Sequence, residues 1–244
     1  MITDFDPYAQ DYRETINRVS APAGEDYEFF IAFRCARMKR KLAQENRIGQ
    51  FSILDLGCGI GAASRFLLSA FPGSTVVGVD PSASSIAIAR QQELPEGNRF
   101  LQATAQEIPL PDGSIDLVYS NGIFHHMAES SWPLAFAELR RVLRPRGHIF
   151  IFENNPANPL MRRAMRQNPF DLGVDPIPPP RLAAVARSAG LAVRQTGYYF
   201  FFPHVLRFLR PLENAMEWLP LGAQYFIWAQ AEGAGSASGP DSGN

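Results

Sequence analysis

Phe51-Ser-Ile-Leu-Asp55-Leu-Gly57-Cys-Gly59-Ile-Gly61 is an apolar run that ends in glycines at every second position. About twenty residues later, Val76-Val-Gly-Val-Asp80 is a second apolar run, closed by a carboxylate. Glycine lets a chain turn sharply and lets its backbone approach a ligand with no side chain between. The helical pattern that follows, Ala62–Ser69, offers unpaired N–H groups at its start. A carboxylate at the end of the second run stands where a ribose hydroxyl pair is held. The layout is that of a nucleotide or nucleoside site at the carboxyl edge of a parallel sheet.

Working outward, strand and helix patterns alternate. Phe51–Leu56, Thr75–Val79, Arg99–Leu101, Ile115–Ser120, His148–Glu153, Ala192–Phe202 and Gly222–Gln230 read as strands. Helices are expected at Asp26–Asn46, Ala62–Ser69, Ser82–Gln92, Pro133–Leu143, Leu160–Gln167 and Arg181–Ala189. Repeated alternation predicts an α/β sheet with helices on both faces. Residues 1–48 read as an N-terminal arm and helix, and 49–232 as the main domain. The domain carries proline-rich and apolar inserts at about 154–180 and 203–220, and the Gly/Ser-rich tail 233–244 is expected to be disordered. On the first long helix, Arg34, Arg37, Lys39, Arg40 and Lys41 read as a solvated basic face, with phosphate binding as the alternative.

The bulk numbers exclude more than they assign. A net charge of −1 over 244 residues gives no general pull on nucleic acid or anionic membranes. Cys35 and Cys58 fit a reduced compartment, and Cys58, inside the glycine loop, is not expected to form a disulfide. The acidic start lacks the basic and apolar regions of a secretory leader, so a cytoplasmic protein is expected. No run of about eighteen apolar residues predicts a transmembrane helix.

The glycine pattern alone leaves the ligand open, because Gly57-x-Gly59-x-x-Ala62 with Asp80 also satisfies a relaxed dinucleotide fingerprint. Three features point elsewhere. Asp55 precedes the glycines and Gly61 extends them, which suits a ligand with a cationic amino-acid end. The chain offers one such half, whereas a dinucleotide fold builds two. The segment Ile108-Pro-Leu-Pro-Asp112-Gly-Ser-Ile-Asp116, running on to His125-His126, has no counterpart in a dehydrogenase.

With Glu138-Leu-Arg-Arg-Val-Leu-Arg-Pro-Arg-Gly147, these motifs resemble the class I S-adenosylmethionine-dependent methyltransferases, in the group of the ubiquinone and menaquinone methyltransferases. The resemblance covers Asp55 to Glu153 in detail. It implies a Rossmann-like three-layer sandwich: a seven-stranded, mostly parallel sheet with an antiparallel last strand, plus the N-terminal helical arm. It implies S-adenosyl-L-methionine as cofactor and S-adenosyl-L-homocysteine as product. Gly57, Cys58, Gly59 and Gly61 would form the loop against the cofactor, and Asp55 would hold the methionine ammonium. Asp80 would accept from the ribose hydroxyls, with Pro81 and Ser82 bordering the adenosine. Thr104, Ala105 and Gln106 would lie at the adenine, Thr104 standing where relatives often have Asp. Ser120 and Asn121 would face the methyl end. Tyr12, with Tyr8, would close over the cofactor from the arm.

The reaction would be in-line displacement at a sulfonium methyl, driven by alignment and exclusion of water. His126, His125 and Glu153 are the candidate bases, imidazole because it titrates near neutral pH. Support of the cofactor loop is the alternative role for His126. Asn154 and Asn155 share that edge, while His148 and His204 lie away from it. No metal set is expected, because His125 and His126 lack a third ligand at useful spacing.

The acceptor is expected to be a small molecule, offering an O, C or N nucleophile. The aromatic run Tyr198–Phe202 and the apolar, helical-looking insert His204–Leu219 read first as a core strand and a helix packed on the sheet, with a tunnel for a hydrophobic or lipid-like acceptor as the alternative. A peripheral membrane patch or a homodimer face is the other use of that surface. Arg162, Arg163, Arg166 and Arg181 could pair with phosphate or carboxylate. Nucleic acid is not expected as a partner. A non-catalytic S-adenosylmethionine-binding regulator and an NAD(P)-dependent oxidoreductase are the competing readings.

Overall fold

The computed structural model describes residues 12–233. Seven strands form one sheet: β1 (Ser52–Leu56), β2 (Thr75–Asp80), β3 (Arg99–Gln102), β4 (Ile115–Asn121), β5 (Leu143–Asn154), β6 (Leu191–Tyr199) and β7 (Gln224–Ala231). Their order is β3-β2-β1-β4-β5-β7-β6. β1 to β5 run parallel, and β7 is antiparallel to both neighbours. The expected Rossmann-like sandwich is therefore the observed one.

Successive residues of a strand point to opposite faces, and each face here has its own helices. Ile53 of β1 joins the core under α2 (Tyr27–Gln44) and α3 (Ala62–Ala70), with Phe150 and Phe152 of β5. Leu54 and Leu56 face the other way, toward α5 (Trp132–Val142) and α7 (Pro179–Ser188), with Val118 and Ile149. A strand buried on both faces is apolar, which is why the buried part of β1, Ile53–Leu56, is apolar apart from Asp55. Ile86 and Ala89 of α4 (Ala83–Ala89) pack on Phe100 of β3. Two further helices, α1 (Tyr12–Ser20) and α6 (Pro159–Gln167), lie over the carboxyl edge and approach each other.

The order reverses between β1 and β4, and such a switch point opens a crevice beyond the strand ends. The chain leaves β1 there through three glycines in the left-handed region, at φ 72°, 50° and 76° for Gly57, Gly59 and Gly61. At Gly57 a Cβ would collide with Ile123, and at Gly61 with Phe100. The loop shape therefore demands glycine.

Two expectations fail. The basic face of α2 is solvated only at Lys39 and in part at Arg40. Arg34, Arg37 and Lys41 are buried against the sheet. Glu217 takes hydrogen bonds from Arg37, from Arg40 at 2.7 Å, from Lys41 at 2.5 Å and from Gln195 at 3.0 Å. The expected aromatic strand also stops early, at Tyr199, because Phe200 turns into the left-handed region at φ 62°. Glu213 secures that turn by accepting the backbone N–H groups of Phe200, Phe201 and Phe202 at 3.0, 3.1 and 3.2 Å. The following segment, His204–Asn214, forms 3-10 turns kinked at Leu206 rather than a regular helix, with Pro211 inside it. The tail from 234 and Tyr8 lie outside the described residues, as does the side chain of Tyr12.

Candidate functional site

One cavity of about 770 Å³ opens at the switch point. Its floor is the glycine loop, its sides are the ends of β2, β4 and β5, and its roof comes from α1, α2 and α6. That size is in the upper part of the roughly 300–1,000 Å³ range of small-molecule sites. Much of the wall is apolar, with Ile16, Phe30, Met161, Phe170 and Phe201 among its residues.

At one end the loop and Asp80 are locked together. Asp80 Oδ2 accepts the N–H of Gly59 at 2.8 Å, and Oδ1 accepts that of Ser82 at 2.9 Å. Ser82 in turn caps α4, its Oγ accepting from Ser85 N at 3.1 Å. The carboxylate is thus pre-oriented by two backbone donors, and a carboxylate oxygen can accept more than one bond. Around Gly59 a Cβ would meet no heavy atom within 4 Å, so the backbone there is open to close approach. Pro81, Thr104, Ala105 and Gln106 complete this end of the wall.

Asp55 lies beneath the loop, 1% exposed, and its Oδ2 has no hydrogen-bond partner. Burial, helped by the nearby charge of Asp80, pushes its carboxyl up to about 8. A buried acceptor in that state is poised for a cation. Ser120 Oγ, also buried, is unpartnered as well. Cys58 is not part of the cavity wall; its thiol packs with Ile86, Ala89 and Phe100, and burial raises its pKa. Gly61 and Ser82 likewise shape the loop and α4 from outside the wall, and Asp55 and Ser120 also lie behind it rather than in it.

At the other end a charged network joins three segments. Gly122, at φ 66°, turns the chain after β4 into a short 3-10 turn, Phe124–His126. Glu153, at the end of β5, accepts from Phe124 N at 2.9 Å through Oε1 and from His125 Nδ1 at 2.5 Å through Oε2. His125 Nε2 lies 3.3 Å from Asp171 Oδ1, and His126 Nε2 lies 3.4 Å from the same oxygen. Asn168 caps the turn that carries Asp171 and donates to Asp171 Oδ2 at 2.9 Å.

These contacts divide the two histidines. Burial works against a charge on His125, but Glu153 and Asp171 outweigh it and lift the imidazolium to about 10. His126 is shifted down: its desolvation outweighs the attraction of Asp171, and the neighbouring charge of His125 adds to the effect. For Asp171, burial would raise the carboxyl, yet the two histidine hydrogen bonds hold it below the usual carboxylate range. His125 therefore keeps its proton near neutral pH and is no base there. His126 is the neutral one.

Asp171 was not read from the sequence. It also supplies what the pair of histidines lacked, a third ligand-type side chain; one ligand atom of each lies within 4.8 Å of the others. Arg163 and Asn154 line the cavity, whereas Arg181 pairs with Glu129 away from its wall. Asn155 holds the chain, donating to the carbonyls of Pro220 and Gly222 at 3.1 and 2.7 Å. His148 is buried against Trp228, and His204 pairs with Glu25; neither lines the cavity.

A glycine loop, a strand-end carboxylate and a switch-point cavity define a nucleoside-binding α/β domain. Residues 54–151 match the model of the methyltransferase domain family. This segment is a class I S-adenosylmethionine-dependent methyltransferase domain, and S-adenosyl-L-methionine is the cofactor of that class. Among relatives, the chain is 32% identical over 137 residues to a malonyl-[acyl-carrier protein] O-methyltransferase of Pectobacterium atrosepticum, covering 56% of this chain and 52% of that one. It is 39% identical over 106 residues to a demethylmenaquinone methyltransferase of Thermus thermophilus, covering 43% and 47%. The chain thus spans about half the length of the curated relatives it matches. The fold is shared with an S-adenosylmethionine-dependent methyltransferase of Thermotoga maritima, at a TM-score of 0.64 and 19% identity, over 95% of this chain and all of that one.

The site fits that cofactor on its own terms. The unpartnered buried oxygen of Asp55 suits an ammonium, the fixed Asp80 suits a vicinal diol, and the open face of Gly59 admits a ligand against the backbone.

Proposed function

We propose that the chain transfers a methyl group from S-adenosylmethionine to a small acceptor with a substantial apolar part. When bound, the cofactor supplies an electrophilic sulfonium methyl. Asp55 holds the ammonium by charge, and Asp80 accepts from the ribose hydroxyls. Pro81, Thr104, Ala105 and Gln106 border the adenosine, while Ser120 and Asn121 support the methionine end.

His126 is the general base in this reading. A neutral imidazole that donates through Nε2 to Asp171 carries its lone pair on Nδ1, and its lowered pKa keeps it neutral at physiological pH. Asp171 orients it, as the carboxylate does in a nucleophile–histidine–carboxylate triad. Glu153 and His125 position the turn and are not bases themselves. The apolar wall excludes water and aligns the acceptor, the main demand of a one-step displacement. The name of the Thermus thermophilus relative gives demethylmenaquinone as its acceptor, in keeping with an apolar partner here.

The observation that carries the reading is a fixed Asp80 at one end of a mainly apolar cavity, with an orphaned Asp55 oxygen buried beneath the glycine loop just outside its wall. The test is incubation with methyl-labelled S-adenosylmethionine and a lipid-soluble metabolite extract. Label should enter an organic-phase product as S-adenosylhomocysteine accumulates. Saturable cofactor binding with no transfer to any extract fraction would favour the regulator instead.

A further inference from the structure

The segment between β6 and β7 is turned inside out. Glu213 and Glu217 are 0% and 4% exposed, whereas Val205, Phe208 and Trp218 are 79%, 71% and 74% exposed. The cause is visible in the contacts: Glu213 holds the Phe200 turn, and Glu217 neutralises the buried cations of α2. With both acids drawn inward, the outer face presents apolar side chains and Arg207. Leu212 and Leu221 add to it.

α6 adjoins this segment at Leu221. Asn158, its N-cap, donates to the carbonyl of Leu221 at 2.8 Å and so ties the helix to the segment. The helix sequence, Pro-Leu-Met-Arg-Arg-Ala-Met-Arg-Gln, has no acid, and it exposes Leu160, Arg162, Arg163 and Arg166. Residues 155–170 and 203–222 together show no exposed carboxylate. Both parts flank the cavity, through Leu160 and Arg163 on one side and Phe201 and Pro203 on the other.

Contiguous exposed apolar surface marks an interaction site. We propose that this face docks on an anionic lipid bilayer, with the apolar side chains at the headgroup–acyl boundary and the arginines on lipid phosphates. Stable peripheral binding takes two signals, apolar burial and a basic patch, and this face has both. A tryptophan at its edge suits the interfacial layer. A second copy suits it less: a two-fold contact opposes the same patch to itself, so arginines would meet arginines with no acid between them. The inference is independent of the methyl-transfer reading; if both hold, an acceptor could enter the cavity from the lipid.

The test is co-sedimentation of the full chain with phosphatidylcholine vesicles, with and without phosphatidylglycerol. Binding should require the anionic lipid and weaken with salt, a readout that needs no variant. Of the three tryptophans, Trp132 and Trp228 are buried, so a blue shift of emission on binding reports Trp218. Val205→Ser/Phe208→Ser and Arg162→Gln/Arg166→Gln should each lower partitioning about ten-fold, at unchanged melting temperature. No partition into either vesicle would overturn the proposal, as would binding that neither double variant reduces. A solution dimer broken by Val205→Ser/Phe208→Ser, without vesicle binding, would also overturn it.

Discussion

Cofactor binding should expel a proton from Asp55. The carboxyl is raised to about 8 by burial and by Asp80, so at pH 7 it is about 90% protonated in the free protein. An ammonium placed against its unpartnered oxygen favours the ionised form. Binding at pH 7 therefore releases about 0.9 proton, and affinity rises nearly ten-fold per unit between about pH 5 and 7. The rise ends near pH 8, where the carboxylate is largely ionised and the ligand's own α-ammonium begins to lose its proton. Titration calorimetry at pH 7 in buffers of low and high ionisation enthalpy measures the release directly. The enthalpies should differ by about 0.9 times the difference in ionisation enthalpy, and Asp55→Asn should abolish the difference. Equal enthalpies in both buffers would refute the assignment of Asp55 to the cofactor's cationic end.

The same shift has a consequence for folding. The folded protein holds a proton that the unfolded chain releases between about pH 4 and 8, so Asp55 costs stability as pH rises through that window. Asp55→Asn should gain on the order of 2–4 kcal/mol between pH 5 and pH 8 by urea denaturation; a gain independent of pH would contradict this. Asp80→Ala removes charged acceptors worth about 1.5–3 kcal/mol, so affinity for S-adenosylhomocysteine should fall about 100-fold, and an unchanged affinity removes Asp80 from the site. Asp171→Asn should lower kcat about 100-fold with little change in cofactor affinity. Because Asp171 raises the pKa of His126, its loss should also move the acidic limb of the kcat profile to lower pH. A drop in kcat without that movement would mean that Asp171 only holds the insert. Glu217→Gln leaves Arg37 and Lys41 buried without their counter-charge and should cost about 3–5 kcal/mol in denaturant unfolding. A cost below about 1 kcal/mol would show that the cluster contributes little.

The fold was legible because its signals are local. A strand buried on both faces is apolar nearly throughout, and left-handed turns favour glycine, so the Leu54–Asp80 stretch declares its geometry in consecutive residues. The proposed cofactor end was assigned from equally local signals: Asp55, the glycines and Asp80 sit at fixed offsets from strand ends. Features that depend on distant partners were not. The basic residues of α2 read as solvated because Glu217, which neutralises them, lies 180 residues from Arg37. Asp171 sits in a proline-rich insert with no period to follow, and 46 residues separate it from His125. The Asn168-Pro169 pair was its one local sign, an N-cap followed by a helix-starting proline. Nor does proximity in sequence separate His125 from His126; only their unequal contacts with Glu153 and Asp171 do.

Equilibrium dialysis with labelled S-adenosylmethionine, competed by S-adenosylhomocysteine and by NAD, tests the central claim most directly. One saturable site per chain, emptied by S-adenosylhomocysteine and indifferent to NAD, is the expected result. No saturable binding up to millimolar cofactor, or displacement by NAD, would contradict the account.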